Sequence, residues 1–267
     1  MTTNYSWTFE PIVLIGIAVA LGIYLRRWQR VHAEYGARGA SVWRLMAFVG
    51  GLLVVVVALV SPVDILGEQL AVMHMVQHIL LLDIVPILLI LGLTKILLRP
   101  TTRRLTRLER AAGWFAHPAF AVIAYVSLMW LWHIPALYDA ALRTPAVHVL
   151  EHTCLLFAGS LYWWYLLSPI RSRSQLTGMG PVLYMISTKL GVGLLGILLA
   201  FLPTVLYLYS EEPEHWGLTH TTDQQLSGVL MATEQSIVMG IALAVILIRM
   251  LIEDEKKSQR EELYGSQ

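Results

Sequence analysis

The chain has 267 residues, 57% of them hydrophobic and only 14% charged, against about 25% charged in an ordinary soluble domain. That deficit, with a mean hydropathy of +0.63, argues against a water-soluble globule and for lipid as the solvent. The net charge of +1 says nothing about partners because the charges are segregated, and one cysteine, Cys154, excludes an intrachain disulfide framework and a cysteine-cluster metal site.

Apolar runs of about 20 residues can cross a bilayer as helices. They fall at 11–25, 43–60, 66–93, 118–132, 146–167, 181–209 and 224–251. Backbone groups in hydrocarbon must be satisfied internally, so the fold class expected is an all-α membrane protein, a seven-transmembrane helix bundle. The opening MTTNYSWTFE lacks a basic region, so the first run reads as a retained span rather than a cleaved signal. Residues 1–10 are then an outer N-terminal segment, 11–251 the membrane domain and 252–267 a charged cytoplasmic tail. The third run holds His74, Gln77, His78 and Asp83, and its length fits one tilted helix. Pro86 and Pro203 lie inside the third and sixth runs and predict kinks or local opening there.

Basic residues orient the bundle. Arg26, Arg27, Arg30, Arg38 and Arg44 follow the first span, and Lys95, Arg99, Arg103, Arg104, Arg107 and Arg110 the third. Arg171 and Arg173 follow the fifth, and Arg249, Lys256, Lys257 and Arg260 close the chain. All lie on one side, which the positive-inside rule makes cytoplasmic, so the N-terminus is expected outside and the C-terminus in the cytoplasm. Only Arg143 falls in an outer loop, and Lys189 within the sixth span. The outer loops carry Asp64, Glu68, Asp139, Glu211, Glu212, Glu214 and Asp223. Trp7, Trp130, Trp132 and Trp216 mark outer ends, and Trp28, Trp43, Trp114, Trp163 and Trp164 inner ends, as interfacial belts require. Every loop is short, so the function lies in or at the bilayer, and no nucleic-acid partner is expected.

Ionisable groups inside spans are costly and mark function. Of the nine histidines, His32 and His117 lie on the cytoplasmic side. The other seven, His74, His78, His133, His148, His152, His215 and His220, fall in the outer half or outer loops. His74 and His78 are four apart and share a helical face, as do His148 and His152. Two such pairs present four imidazoles to a common centre, and imidazole suits copper, zinc and iron. Met75 and Met231 add thioethers, which with imidazole favour Cu(I) over zinc. The alternative is interhelical hydrogen bonding as packing glue, and for a single histidine that reading would win. His133, two residues before Pro135, ends the fourth span as a ligand or as a group supporting the ligands. His215 and His220 lie in a polar loop, either capturing metal from outside or simply solvated.

Asp83 lies about half a turn round from His74 and roughly 13 Å deeper, too far for the same centre. A structural Asp83–Lys189 pair is expected, with Glu234 as a competing partner. Asp223 opens the seventh span, where an acidic residue favours a helix N-terminus. Cys154 faces away from His152 and reads as a packing residue. His148, Glu151 and His152 also spell H-x-x-E-H, the inverted zinc-protease signature with the glutamate as general base. The cleft-forming domain of such proteases is missing.

Three stretches carry a resemblance to a known family: SPVDILGEQLAVMHMVQHILLLDIVPILLILG from Ser61, WHIPALYDAALRTPAVHVLEHTCLLFAGSLYWW from Trp132, and DQQLSGVLM from Asp223. In order, spacing and span placement the chain resembles the multi-span CtaG family of cytochrome c oxidase assembly proteins, over spans two to seven. The family pattern would place an aromatic residue after Met231; this chain has Ala232. The resemblance implies a non-enzymatic factor of the bacterial cell membrane that handles copper for a haem–copper oxidase subunit. It matches His74, His78, His133, His148 and His152, with Asp223 and Met231 at its edge. Two other readings stand beside copper delivery. One is a b-type haem protein with axial histidines from spans three and five. The other is a seven-span zinc hydrolase with three ligands and an open water position.

Overall fold

A computed structural model describes residues 6–170, 174, 176–207 and 212–264. The charges at Arg171, Arg173 and Glu211 and the end of the sixth predicted span at 209 lie outside those residues, as do the side chains of Glu212, Arg249, Lys257 and Arg260. The described chain is helical, without a strand. It runs α1 (Pro11–Tyr35), α2 (Val42–Leu59), α3 (Pro62–Gln69), α4 (Ala71–Ile79), a π-helical turn (Leu80–Ile84), α5 (Val85–Leu91), α6 (Lys95–Leu98), α7 (Thr102–Ala112) and α8 (Pro118–Trp132). It continues through α9 (Pro135–Arg143), α10 (Pro145–Leu167), α11 (Gly180–Phe201), α12 (Glu212–His215) and α13 (His220–Tyr264). Proline opens α1, α3, α8, α9 and α10, at the first helical position, where its missing N–H removes nothing and its fixed φ is already helical.

Five segments are helices long and apolar enough to cross a membrane: Pro11–Arg38, Val42–Leu59, Ala71–Leu91, Gly180–Phe201 and His220–Lys256. The pair Thr102–Ala116 and Pro118–Trp132 adds a sixth if its two parts, bent by 61°, form one span. Of the expected seven, the remaining run is α10. It has a span's length, 23 residues, but His148, Glu151 and His152 in its first half lower its apolar character. The packing is inverted relative to a water-soluble bundle. Ile12, Ile15, Val19 and Ile23 of α1, Leu183, Leu190 and Leu194 of α11, and Ile237, Ile241 and Ile248 of α13 face outward, while His74, His78, Asp83 and Glu151 are fully buried. Apolar outside with ionisable inside is what lipid as solvent selects.

The third predicted span begins at Ala71 rather than at residue 66 and is continuous from there to Leu91. Leu70 is extended (φ −133°, ψ 130°) and separates α3 from α4. Leucine has no capping oxygen, so Asp223 of α13 supplies one: its carboxylate accepts from the backbone N–H of Ala71 at 2.7 Å and of Val72 at 3.0 Å. These are the amides that a helix start leaves unpaired. Lower down, Pro86 has no N–H for the Leu82 carbonyl. The ladder widens into the π-helical turn, in which the Val85 N–H reaches Leu80, a local opening of the kind Pro86 predicts. The freed Leu82 carbonyl lies directly against Gly159 of α10, where any Cβ would collide with it. At the sixth run Pro203 ends the helix instead of bending it; α11 stops at Phe201 and Leu202 is extended. Gly228 similarly lets α13 cross α11 against the backbone of Gly196 and Ala200.

The two ends of the bundle differ in chemistry. At one, basic residues close the helix ends: Arg44 Nη1 donates to the Leu91 and Leu93 carbonyls, Arg27 to those of Ile96 and Leu97, and Tyr24 Oη to Gly92 at 2.8 Å. At the other, Thr8 Oγ1 donates to Asp64 at 3.0 Å and Gln77 Nε2 to Asp64 and the Ala58 carbonyl, both at 2.8 Å. The histidines gather at this second end.

Candidate metal centre

The spacing of four on α4 turns His74 and His78 to one face, with ring centroids 4.4 Å apart. The same spacing on α10 stacks His148 over His152 at 4.2 Å. The Leu82–Gly159 contact brings the two helices together, so the pairs meet. His74 lies 5.4 Å from His148 and 6.0 Å from His152, and His78 lies 5.8 Å from His152, between ring centroids. α8 ends at His133, whose ring stands 5.8 Å from that of His78. The five histidines that the resemblance matches therefore converge.

A carboxylate joins them. Glu151 is fully buried, with Oε2 3.4 Å from His74 Nε2 and Oε1 3.3 Å from His78 Nε2. These distances exceed the roughly 2.7–2.9 Å of a charge-assisted hydrogen bond. Both oxygens, with the ring nitrogens of His74 and His78 and the Nε2 atoms of His133, His148 and His152, make no hydrogen bond among the described groups. Buried polar atoms are nearly always hydrogen-bonded, so this concentration of imidazole nitrogens and carboxylate oxygens without hydrogen bonds in one place fits a ligand set. His133 fits that reading in detail. Its Nδ1–H donates to the Met129 carbonyl at 2.7 Å, which fixes the tautomer and leaves Nε2 with its lone pair free. His74, His78, Glu151 and His152 present ligand atoms that all lie within 4.8 Å of one another. Any four such atoms fit around a point no more than about 2.9 Å from each, so side-chain shifts of under 1 Å would reach metal–nitrogen lengths of about 2.0–2.1 Å.

Glu151 was visible in the sequence only as part of H-x-x-E-H and as an acidic group early in a helix. The signal that could have found it is its position three residues after His148 and one before His152, inside an otherwise apolar run. Around the centre, the Tyr138 ring lies 4.9 Å from His74 and stacks at 3.9 Å on Tyr207, whose hydroxyl donates to the His133 carbonyl. The other sequence candidates have partners or packing of their own. Asp223 is occupied as the cap of α4, and Met75 and Met231 are buried in the apolar core with Tyr125, Leu155 and Met239. Cys154 packs at the edge of that core. His215 is exposed and His220 half-buried at the start of α13, neither within the cluster.

The Asp83–Lys189 pair does not form. Lys189 is exposed on the outward apolar face of α11. Asp83 instead accepts from Tyr125 Oη at 2.7 Å and Trp163 Nε1 at 2.7 Å, and Glu234 is linked to Tyr125 through Gln235. Asp64, in the loop helix α3, is held above its ordinary value of 3.8 by burial, against hydrogen bonds from Thr8 and Gln77 that lower it.

Fold and site together define a helical membrane protein with an imidazole–carboxylate centre buried near one end of its bundle. The chain belongs to the family of cytochrome c oxidase caa3 assembly factors (Caa3_CtaG), whose family model matches residues 22–253. The match begins inside α1 and so extends beyond spans two to seven. Curated relatives include uncharacterized proteins of Mycobacterium leprae (22% identical over 286 residues) and of Mycobacterium bovis and Mycobacterium tuberculosis (22% over 278 residues each). Each alignment covers 97% of this chain but 41% of the relative, so the chain spans about two fifths of their length. No solved structure matches.

Proposed function

We propose that this assembly factor binds Cu(I) at the His74, His78, His148, Glu151 and His152 centre, with His133 beside it, and delivers it to a haem–copper oxidase subunit. The observation that carries the reading is the cluster of unpaired imidazole nitrogens around one buried carboxylate, in a family defined by oxidase assembly. Charge favours a monovalent ion. With neutral imidazoles the centre holds one negative charge, on Glu151, and Cu(I) brings the total to zero, whereas a divalent ion leaves a net positive charge in a low-dielectric interior. Imidazole is a good ligand for copper, and the 3.3–3.4 Å separations of Glu151 from His74 and His78 match the ligand–ligand spacing of about 3.3 Å in a tetrahedral site with bonds of about 2.0–2.1 Å; the ion here is cargo.

The same proposal includes seven spans, counting α10 and the bent α7–α8 pair, with the N-terminus outside and the basic end cytoplasmic. The centre then opens toward the outer face of a bacterial cell membrane. A haem clamped between α4 and α10 would have to displace the Glu151 carboxylate that stands between these helices. A zinc hydrolase would need Glu151 free to activate water, while here it faces two imidazoles.

The test is complementation. In a host lacking this gene, wild-type protein restores copper-loaded, active oxidase. The His74→Ala/His78→Ala/His148→Ala/His152→Ala variant accumulates in the membrane to the same level without restoring it. Full restoration by that variant would remove the proposal.

A further inference from the structure

A second polar cluster lies on the same helix as the candidate metal centre. Asp83, in the π-helical turn five residues past His78, is fully buried, and Glu234 and Gln235 of α13 are 8% and 2% exposed. The hydrogen-bond directions are fixed by chemistry. Gln235 Nε2 donates both to Tyr125 Oη at 3.3 Å and to Glu234 Oε2 at 3.0 Å. Tyr125 therefore accepts from Gln235 and spends its own proton on Asp83, which also receives the Trp163 N–H. Two donors converge on Asp83, the environment of an ionised carboxylate. Gln235 thus ties the Glu234 carboxyl to the Tyr125–Asp83 pair, and Glu234 Oε1 is buried with no hydrogen bond among the described groups.

Among the described residues no base faces this pair. From α8 comes Tyr125, from α10 Trp163 and Tyr162, from α11 Tyr184, which donates to the Tyr162 carbonyl at 3.0 Å, and from α13 Glu234 and Gln235. α2 presents Ala47, Gly51 and Leu52, and Lys189 points outward. Two adjacent carboxylates with no counter-charge inside a bilayer cannot both stay ionised.

We propose that Asp83 and Glu234 form an intramembrane proton-binding site, in which one exchangeable proton resides on Glu234 Oε1 and bridges to the Asp83 carboxylate. A proton fits better than a metal cation: the O–H and N–H directed at Asp83 turn positive hydrogen toward the position a cation would occupy. The site lies about 7 Å along the helix from His78 and shares no residue with the metal centre, so it stands or falls separately from copper binding.

Infrared difference spectroscopy on the purified full-length protein, titrated in H2O and D2O, tests it. The wild type is expected to show a protonated-carboxyl C=O band that shifts down in D2O and disappears reversibly as pH rises. Glu234→Gln, nearly isosteric, is expected to lose that band. Asp83→Asn, which removes the neighbouring negative charge, is expected to keep the band but lose the proton at a lower pH, because the repulsion that holds the proton on Glu234 is relieved; loss at an unchanged or higher pH would contradict the coupling. An absent band, a band unchanged in both variants, or a wild-type band that vanishes when sodium replaces choline at constant ionic strength would each overturn the proposal.

Discussion

Replacing Glu151 with glutamine keeps the volume and one carbonyl ligand oxygen while removing the only negative charge in the centre. The four ligand atoms of His74, His78, Glu151 and His152 lie within 4.8 Å of one another, so an ion among them sits well inside 4 Å of the carboxylate. A unit charge pair at about 4 Å is worth about 4 kcal/mol at an effective dielectric constant near 20, and removing one partner of a buried ionic pair costs about 3–5 kcal/mol. Some of this returns through the amide oxygen, leaving about 3 kcal/mol, or about a hundredfold in Kd. Competition of the purified protein against a chromophoric Cu(I) chelator measures it, with the thermal midpoint of each variant as the check on folding. A Glu151→Gln protein that folds normally and binds Cu(I) within about threefold of wild type would refute the charge argument.

Three further outcomes follow from the packing. Gly159→Ala sets a Cβ against the Leu82 backbone, so it should cost about 1–3 kcal/mol and lower the thermal midpoint by about 2–10 °C, while Gly193→Ala, with nothing within 4 Å, should change it little. Asp223→Ala strips two amides of their acceptor and should destabilise by about 1–2 kcal/mol, with Asp223→Asn intermediate; equal midpoints for all three proteins in thermal unfolding would contradict the cap. Asp64 is held above 3.8 in the folded state, so the native protein binds its proton more tightly than the unfolded chain. Its contribution is fully present below the ordinary carboxylate value and is lost as pH rises through the raised folded value. Asp64→Asn should flatten that part of the stability–pH curve, and an unchanged slope would show that Asp64 does not carry it.

How much of this was legible in the sequence depends on the range of the interaction. The i,i+4 histidine pairs were readable because helical periodicity is local, and their shared end of the bundle followed from the segregation of arginine and lysine. Glu151 was not, because a carboxylate near a helix start has an ordinary explanation that only the opposing His74 and His78 remove. The division of α3 from α4 was hidden for a similar reason: its cap, Asp223, lies 152 residues from Ala71. Asp83 invited pairing with the one lysine inside a span, and only the rotation of α11 shows Lys189 facing outward. Pro86 announced a disturbance, but the π-helical form depends on Gly159 accepting the freed Leu82 carbonyl.

The central claim is that these imidazoles and Glu151 hold a copper ion. Purified protein loaded with Cu(I) under reducing conditions, washed by gel filtration and assayed for copper per chain tests it most directly. The account predicts about one tightly retained copper in the wild type and none above background in the His74→Ala/His78→Ala/His148→Ala/His152→Ala variant. Equal retention by the two proteins, or none by either, would contradict it.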